Sequence, residues 1–125
     1  MPDAFTVDVS PLDLENHKAC VFRLGGSVDA SSTQQLEEAV RGELDAGTRL
    51  CVLDFSGVDY VSSAGLRLLL KLRRSAADLG GGVKIAGLHR ETRENVFDAL
   101  GFSKLFELYA DTDEAVASIT GPEGA

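Results

Sequence analysis

The densest concentration of potential chemistry in this sequence is the run Asp54-Phe55-Ser56-Gly57-Val58-Asp59-Tyr60-Val61-Ser62-Ser63-Ala64-Gly65-Leu66. An apolar stretch gives way there to turn-forming residues and then to a helix-forming segment, and two adjacent hydroxyls, Ser62 and Ser63, fall at the junction. The first turn of a helix leaves backbone N–H groups unpaired and carries a partial positive charge, so a phosphate ester formed there meets donors and a favourable dipole. Covalent modification of a serine is one chemistry this spacing supports. Capping of the helix by either hydroxyl is the other. One serine suffices for a cap, which leaves the second for a different role. Upstream, Asp54 and Ser56 have the short polar side chains that shape loops through local hydrogen bonds.

Other chemistries lack their residue patterns. His17 and His89 belong to no recognisable triad, and Ser62-Ser63-Ala64-Gly65 is not a Gly-x-Ser-x-Gly nucleophile elbow, so no enzyme is expected. Gly80-Gly81-Gly82 follows a helical stretch instead of opening one, which makes it a turn and not a phosphate cradle. No second Cys or His stands at metal-ligand spacing, and neither metal nor cofactor is implied. Cys20 and Cys51 each sit inside an apolar run, where a small buried hydrophobe is the expected role and no disulfide is required.

Charge narrows the partners. With 12 basic against 20 acidic residues, a formal net of −8, direct binding to nucleic acid is disfavoured, because that affinity comes from Lys and Arg displacing counterions. No stretch approaches the roughly 18 apolar residues a membrane helix needs, and Met1 to Phe5 shows no basic region leading into an apolar run. No membrane insertion and a cytoplasmic location are therefore expected. The 125 residues, 44% hydrophobic and 26% charged, fit one folded domain.

The elements that must position the two serines follow from periodicity. Phe5, Val7 and Val9 alternate with polar residues as a half-buried strand that Pro11 is expected to stop, and a polar turn around Glu15-Asn16-His17 leads to a second strand, Ala19 to Leu24, ended by Gly25-Gly26. The short connection predicts an antiparallel hairpin. Ser31, Ser32 and Thr33 offer caps to a helix whose stripe is Leu36, Ala39, Val40 and Leu44, ending at Gly47. Leu50 to Phe55 reads as a central parallel strand. Ala64 to Leu79 reads as the second helix, with Arg67, Lys71, Arg74 and Asp78 on a narrow polar stripe. Its broad apolar arc, Leu66, Leu68, Leu69, Leu70, Leu72, Ala76 and Ala77, either packs on neighbours or offers a partner patch, and Arg73 interrupts it. A strand at Val83 to Ala86, a helix at Arg90 to Leu100 with Val96, Phe97 and Leu100 on one face, and a strand at Leu105 to Tyr109 follow. Asp111 and Glu114 form a capping box for a final helix. The fold class is α/β: a mixed, mostly parallel sheet with an N-terminal β-hairpin and about four helices, mainly on one face. The core is expected over residues 5–119, with 120–125 as a flexible tail.

Several of these residues carry a resemblance. Asp54-Phe55-Ser56, Val61 through Leu66 and Leu69-Leu70 resemble the signature of the STAS domain family, named for sulfate transporters and anti-sigma factor antagonists. Leu24-Gly25-Gly26-Ser27-Val28-Asp29 resembles the family's second strand and following loop, and Asn95 to Phe102 its third helix and exit. The resemblance implies a stand-alone anti-sigma factor antagonist. Its unphosphorylated form would bind an anti-sigma factor that is also a GHKL-type serine kinase, releasing the sigma factor, and a PP2C-type phosphatase would reverse the modification. It implies Ser63 as the phosphorylated residue, with Ser62, which stands where many members have Asp, as second choice. Asp29, Ser62, Ser63, Ala64, Gly65, Leu66 and Arg67 are the implied partner-binding residues. The alternative is a STAS subunit of a larger complex, such as a lipid-transport assembly, with no phosphorylation cycle. Oligomeric state is not implied by the sequence.

Overall fold

The computed structural model describes residues 4–14 and 17–120. Strands β1 (Thr6–Leu14) and β2 (His17–Val28) form the antiparallel hairpin, with Thr6 opposite Gly25 and Leu14 opposite His17. Strands β3 (Leu50–Val61), β4 (Gly82–Ala86) and β5 (Glu107–Tyr109) add in sequence order, each parallel to the one before. The crossovers carry α1 (Thr33–Asp45), α2 (Ser63–Asp78) and α3 (Arg90–Thr92), which continues as a π-helical segment over Arg93–Asp98. A 3-10 turn at Phe102–Lys104 precedes β5, and α4 (Thr112–Thr120) follows it.

The sheet is buried on both faces, which is why β2 and β3 read as nearly continuous apolar runs. On one face Phe22, Leu24, Leu53, Phe55 and Ile85 pack against Leu36 and Val40 of α1, Leu69 and Leu72 of α2, and Phe97. On the other, Ala19, Val21, Val52 and Ala86 pack against Ala115 and Ile119 of α4. Three helical segments thus share one face and α4 alone covers the other. The capping box forms at its start, where the Glu114 N–H donates to Asp111 Oδ1 at 2.8 Å.

Several boundaries differ from expectation: β3 continues past Phe55 to Val61, β5 begins at Glu107 and not at Leu105, and three further differences have identifiable causes. Pro11 does not stop β1, because β1 is an edge strand, where a residue without an N–H is tolerated. Instead β1 changes its allegiance: Phe5 and Val7 join the first core, Leu12 and Leu14 the second. Gly25-Gly26 does not end β2 but accommodates irregular pairing, with register shifts against β3 between Arg23 and Gly25 and between Gly26 and Ser27. The third helix is not regular to Leu100. Its π-helical segment re-aims the residues beyond it, so Phe97 stays buried, edge-on to Phe55, Phe102 and Phe106, whereas Leu100 is 61% exposed. Of the turn expected around residue 16, Glu15 and Asn16 lie outside the described residues and His17 opens β2. The expected tail, apart from the helical backbone of Thr120, also lies outside them.

Helix α2 ends in a Schellman motif: the Gly80 N–H donates to Ala77 O and the Gly81 N–H to Ala76 O, with Gly80 at φ +82°. Gly81 also lies against Arg49, whose carbonyl a Cβ at 81 would overlap. Gly42, inside α1, faces open space. We therefore expect Gly42→Ala to stabilise the fold by about 0.5–1 kcal/mol in urea titrations and Gly81→Ala to destabilise it by more than about 1 kcal/mol.

The two cysteines face each other across β2 and β3 and are buried and free. Burial and the adjacent Glu43 carboxylate, to which Cys20 Sγ donates at 3.3 Å, push the Cys20 thiol up to about 12, and burial pushes Cys51 up to about 12. Both are inert thiols in the native state. Because the folded chain holds these protons more tightly than the unfolded one, their contribution to stability is complete below the ordinary thiol value of 9.0 and is lost as pH rises towards about 12. Native protein should resist alkylation at mildly alkaline pH and react once denatured. Its urea midpoint should fall above about pH 9 more steeply than that of Cys20→Ala/Cys51→Ala.

Candidate functional site

Strand β3 runs level with β2 to its end, Val28 pairing with Val61, so the chain leaves both strands at the same edge of the sheet. From β2 it enters the loop 29–32, and from β3 it enters α2. The Ser62 N–H donates to the Val28 carbonyl at 2.9 Å. One turn further, Gly65 lies so close to Val28 that a Cβ at 65 would overlap the same carbonyl oxygen. Helix α2 is therefore seated with its N-terminus directly on the end of β2, an approach that only glycine permits.

This seating divides the labour of the two serines. Ser62 has extended backbone, φ −90° and ψ 174°, and its Oγ accepts from the Gly65 N–H at 3.2 Å, which makes it the N-cap. Ser63 is the first helical residue; it is exposed, and its hydroxyl has no partner among the described residues. Ser63, Ala64, Tyr60 and Arg67 line one side of an open depression of about 550 Å³, and Asp29, Ala30 and Ser31 line the other, with Ser62 between. Gly65 and Leu66, expected at a partner surface, are buried, Gly65 against Val28, and both help seat the helix.

The opposing loop is braced from within. Asp29 Oδ1 accepts from the Ser31 hydroxyl at 2.6 Å and the Ser31 N–H at 2.9 Å, bonds that hold its carboxyl below the usual carboxylate range. Ser32 occupies the N-cap position of α1 without capping it. Its buried hydroxyl instead accepts from the Asp29 N–H and donates to Ser27 O at 2.7 Å, fixing the loop to the strand it leaves. Beside these, Asp54 Oδ1 accepts from the Ser56 N–H at 2.9 Å, and His89 Nε2 lies 2.8 Å from Ser56 O. His89 thus ties this stretch of β3 to the chain leaving β4, a contact across 33 positions that no local pattern announces.

Most of the apolar arc of α2 is consumed internally, with Leu70 partly buried and Ala77 left exposed. Leu66, Leu68, Leu69, Leu72 and Ala76 are buried, and Arg73 reaches away to donate from Nε to Leu105 O at 2.7 Å. The aromatic exposed at the site is Tyr60, 56% accessible, which the sequence passes over because it is a lone aromatic at a strand end. Among the described residues no group of three or more His, Cys, Asp or Glu could hold a metal ion, and no helix is long and apolar enough to cross a membrane.

The site is thus an exposed hydroxyl on a shallow surface at one edge of the sheet of an α/β domain. The STAS domain family model matches residues 11–115, and the chain belongs to that family. It is 36% identical over 95 residues to BtrV, a candidate anti-sigma factor antagonist of Bordetella bronchiseptica, an alignment spanning 76% of this chain and 80% of the relative. It is 26% identical over 121 residues to the anti-sigma-F factor antagonist RsfB of Mycobacterium tuberculosis, covering 96% and 93% of the two chains. The fold is similar to that of a solved anti-sigma factor antagonist from Mycobacterium paratuberculosis, with TM-score 0.80 at 22% identity over 96% of this chain and 97% of that one. It is similar also to unphosphorylated SpoIIAA, with TM-score 0.74 at 19% identity over 94% and 97%.

The assignment of cap and free hydroxyl is open to a direct check. Ser62→Ala should lower stability by about 1 kcal/mol through loss of the cap. Ser63→Ala should stay within about 0.5 kcal/mol of the parent in the same urea titrations, as expected for an exposed side chain without partners.

Proposed function

We propose that this chain is an anti-sigma factor antagonist that works by partner switching, with Ser63 as the switch. The observation that carries this reading is the exposed, uncommitted hydroxyl of Ser63 beside a capping Ser62. The functions named for BtrV and RsfB support it. In the unmodified state the surface around Ser63, with Tyr60, Ala64 and Arg67 on one side and Asp29 on the other, docks on an anti-sigma factor that is also a GHKL-type serine kinase, and the sigma factor is released in the cytoplasm. The kinase then transfers the γ-phosphoryl group of ATP to Ser63 Oγ; the Oγ–P bond forms, the bond to the β-phosphate oxygen breaks, ADP leaves and the hydroxyl proton is lost.

The phosphate brings a charge of about −1.5 to −2 into a contact shaped for a neutral hydroxyl. Asp29, already ionised, lines the same depression, so the added charge meets desolvation and like-charge repulsion together. A PP2C-type phosphatase hydrolyses the ester and restores the binding form. Ser62 is the poorer acceptor because modification there removes the cap accepting from Gly65.

The test is incubation with the GHKL-type anti-sigma kinase and ATP, followed by peptide mass mapping and calorimetry. One phosphate on Ser63, absent from Ser63→Ala, and binding weakened at least ~100-fold in the phosphorylated protein are expected; a full switch between 1% and 99% occupancy requires about 10⁴-fold. A phosphate-free Ser63, or equal affinity for the two forms, refutes the switch and leaves a STAS subunit of a larger complex.

A further inference from the structure

Beyond the depression, α2 carries a row of cations. Arg67, Lys71 and Arg74 recur at four- and three-residue spacing and are all exposed, so they stand on one outward face. Lys71 Nζ lies 2.8 Å from Glu37 Oε2, and the same oxygen accepts from Arg41 Nε at 2.9 Å. One carboxylate therefore serves two cations, and their attraction holds Glu37 below the usual carboxylate range. Arg41 reaches α2 as well, donating to Ser75 Oγ at 3.2 Å. Arg67 and Arg74 have no partner among the described residues. With Asp78 at its far end, this face sets four cations against two carboxylates in a chain whose net charge is −8.

Unpaired arginines on one face of an acidic protein have a physical consequence. The net negative charge disfavours the approach of acidic macromolecules in general, and a local surplus of cations favours it at this face. The row is continuous with the Ser63 depression, because Arg67 lines it, and Arg67 and Lys71 together line an adjoining hollow of about 310 Å³ with Glu37 and Leu68. Nucleic acid fits poorly, since a net cation surplus of two on an otherwise acidic molecule releases few counterions.

We propose that the Arg67–Lys71–Arg74 face of α2 is a second part of the docking surface and receives an acidic face of the same protein that engages Ser63. This rests on the reading of the chain as an anti-sigma factor antagonist. Arg67 and Arg74 are the residues free to form new ion pairs; Lys71 and Arg41 are held in place by Glu37. Phosphorylation of Ser63, one turn from Arg67, adds a negative charge close in size to the surplus of the whole face, so the modification weakens both parts of the surface at once.

The experiment measures binding of the unphosphorylated full chain to its GHKL-type anti-sigma kinase across ionic strength. The forms compared are the parent, Arg74→Glu, Arg67→Glu/Arg74→Glu, the charge-keeping Arg67→Lys/Arg74→Lys, Arg23→Glu on the α4 side of the sheet as a distant control, and the Ser63 phosphoprotein. Arg74 lies about 10 Å along the helix from Arg67, so its reversal leaves the Ser63 depression untouched. The expected results are a slower on-rate by about tenfold at low salt and a flatter salt dependence for Arg74→Glu, a larger loss for the double reversal, and near-parental behaviour for the lysine and control variants. Unchanged on-rates and salt slopes in the reversals, with the phosphoprotein still impaired, overturn this inference and leave the Ser63 switch standing. If parent and phosphoprotein bind the kinase equally or not at all, the switch falls and the inference with it. A reversal that alters retention on duplex DNA or anionic vesicles but not kinase binding also overturns it.

Discussion

The site depends on one close contact, the seating of the first turn of α2 on the carbonyl end of β2. The Ser62 N–H takes the Val28 carbonyl and Gly65 leaves that oxygen the space a side chain would occupy. Because β2 and β3 end level, this contact fixes the helix N-terminus against the loop that leaves β2. Asp29, Tyr60 and Ser63 come together as a consequence. Residues buried for packing, Leu66 and Leu69 among them, act on the site only through this seating. The second core, in which Ala19, Val21, Val52 and Ala86 of the sheet meet Ala115 and Ile119 of α4, lies on the face opposite α1 and α2.

The parts of this arrangement legible in the sequence were those governed by local rules. The 3.6-residue stripe of α1, the apolar runs of β2 and β3, the glycine turn after α2 and the serine pair before it all express propensity or periodicity, and the structure places them as those rules require. What escaped were features set by distant partners. Pro11 lies inside a strand because that strand is at the edge, which depends on the order of the whole sheet. Leu100 carries the signature of a buried position, yet the π-helical segment before it turns it to solvent. Ser32 stands where a cap is expected but serves the preceding strand. The partner of Arg73 lies 32 positions away and that of His89 lies 33, beyond any local pattern. At the site itself the serine pair is legible in the sequence, whereas the difference between the capping hydroxyl and the free one is set by the three-dimensional seating of α2.

Under the proposed switch, that distinction decides how a phosphate on Ser63 would act. A helix N-terminus stabilises a nearby anion by about 0.3–1 kcal/mol at an exposed position, so the modified residue suits its own fold. Losing the Ser62 cap would cost about 1 kcal/mol. Neither magnitude approaches the roughly 5.5 kcal/mol that separates a nearly empty complex from a nearly full one. A conformational change confined to the first turn of α2 is therefore too weak a lever, and the first turn is in any case pinned to Val28. The remaining lever for the proposed switch would be the partner's surface. A charge buried against it without a counter-ion costs several kcal/mol, and this chain places an ionised Asp29 across the same depression. In the proposed switch, a first turn pinned in this way would not yield to the phosphate and would force its full electrostatic cost onto the complex.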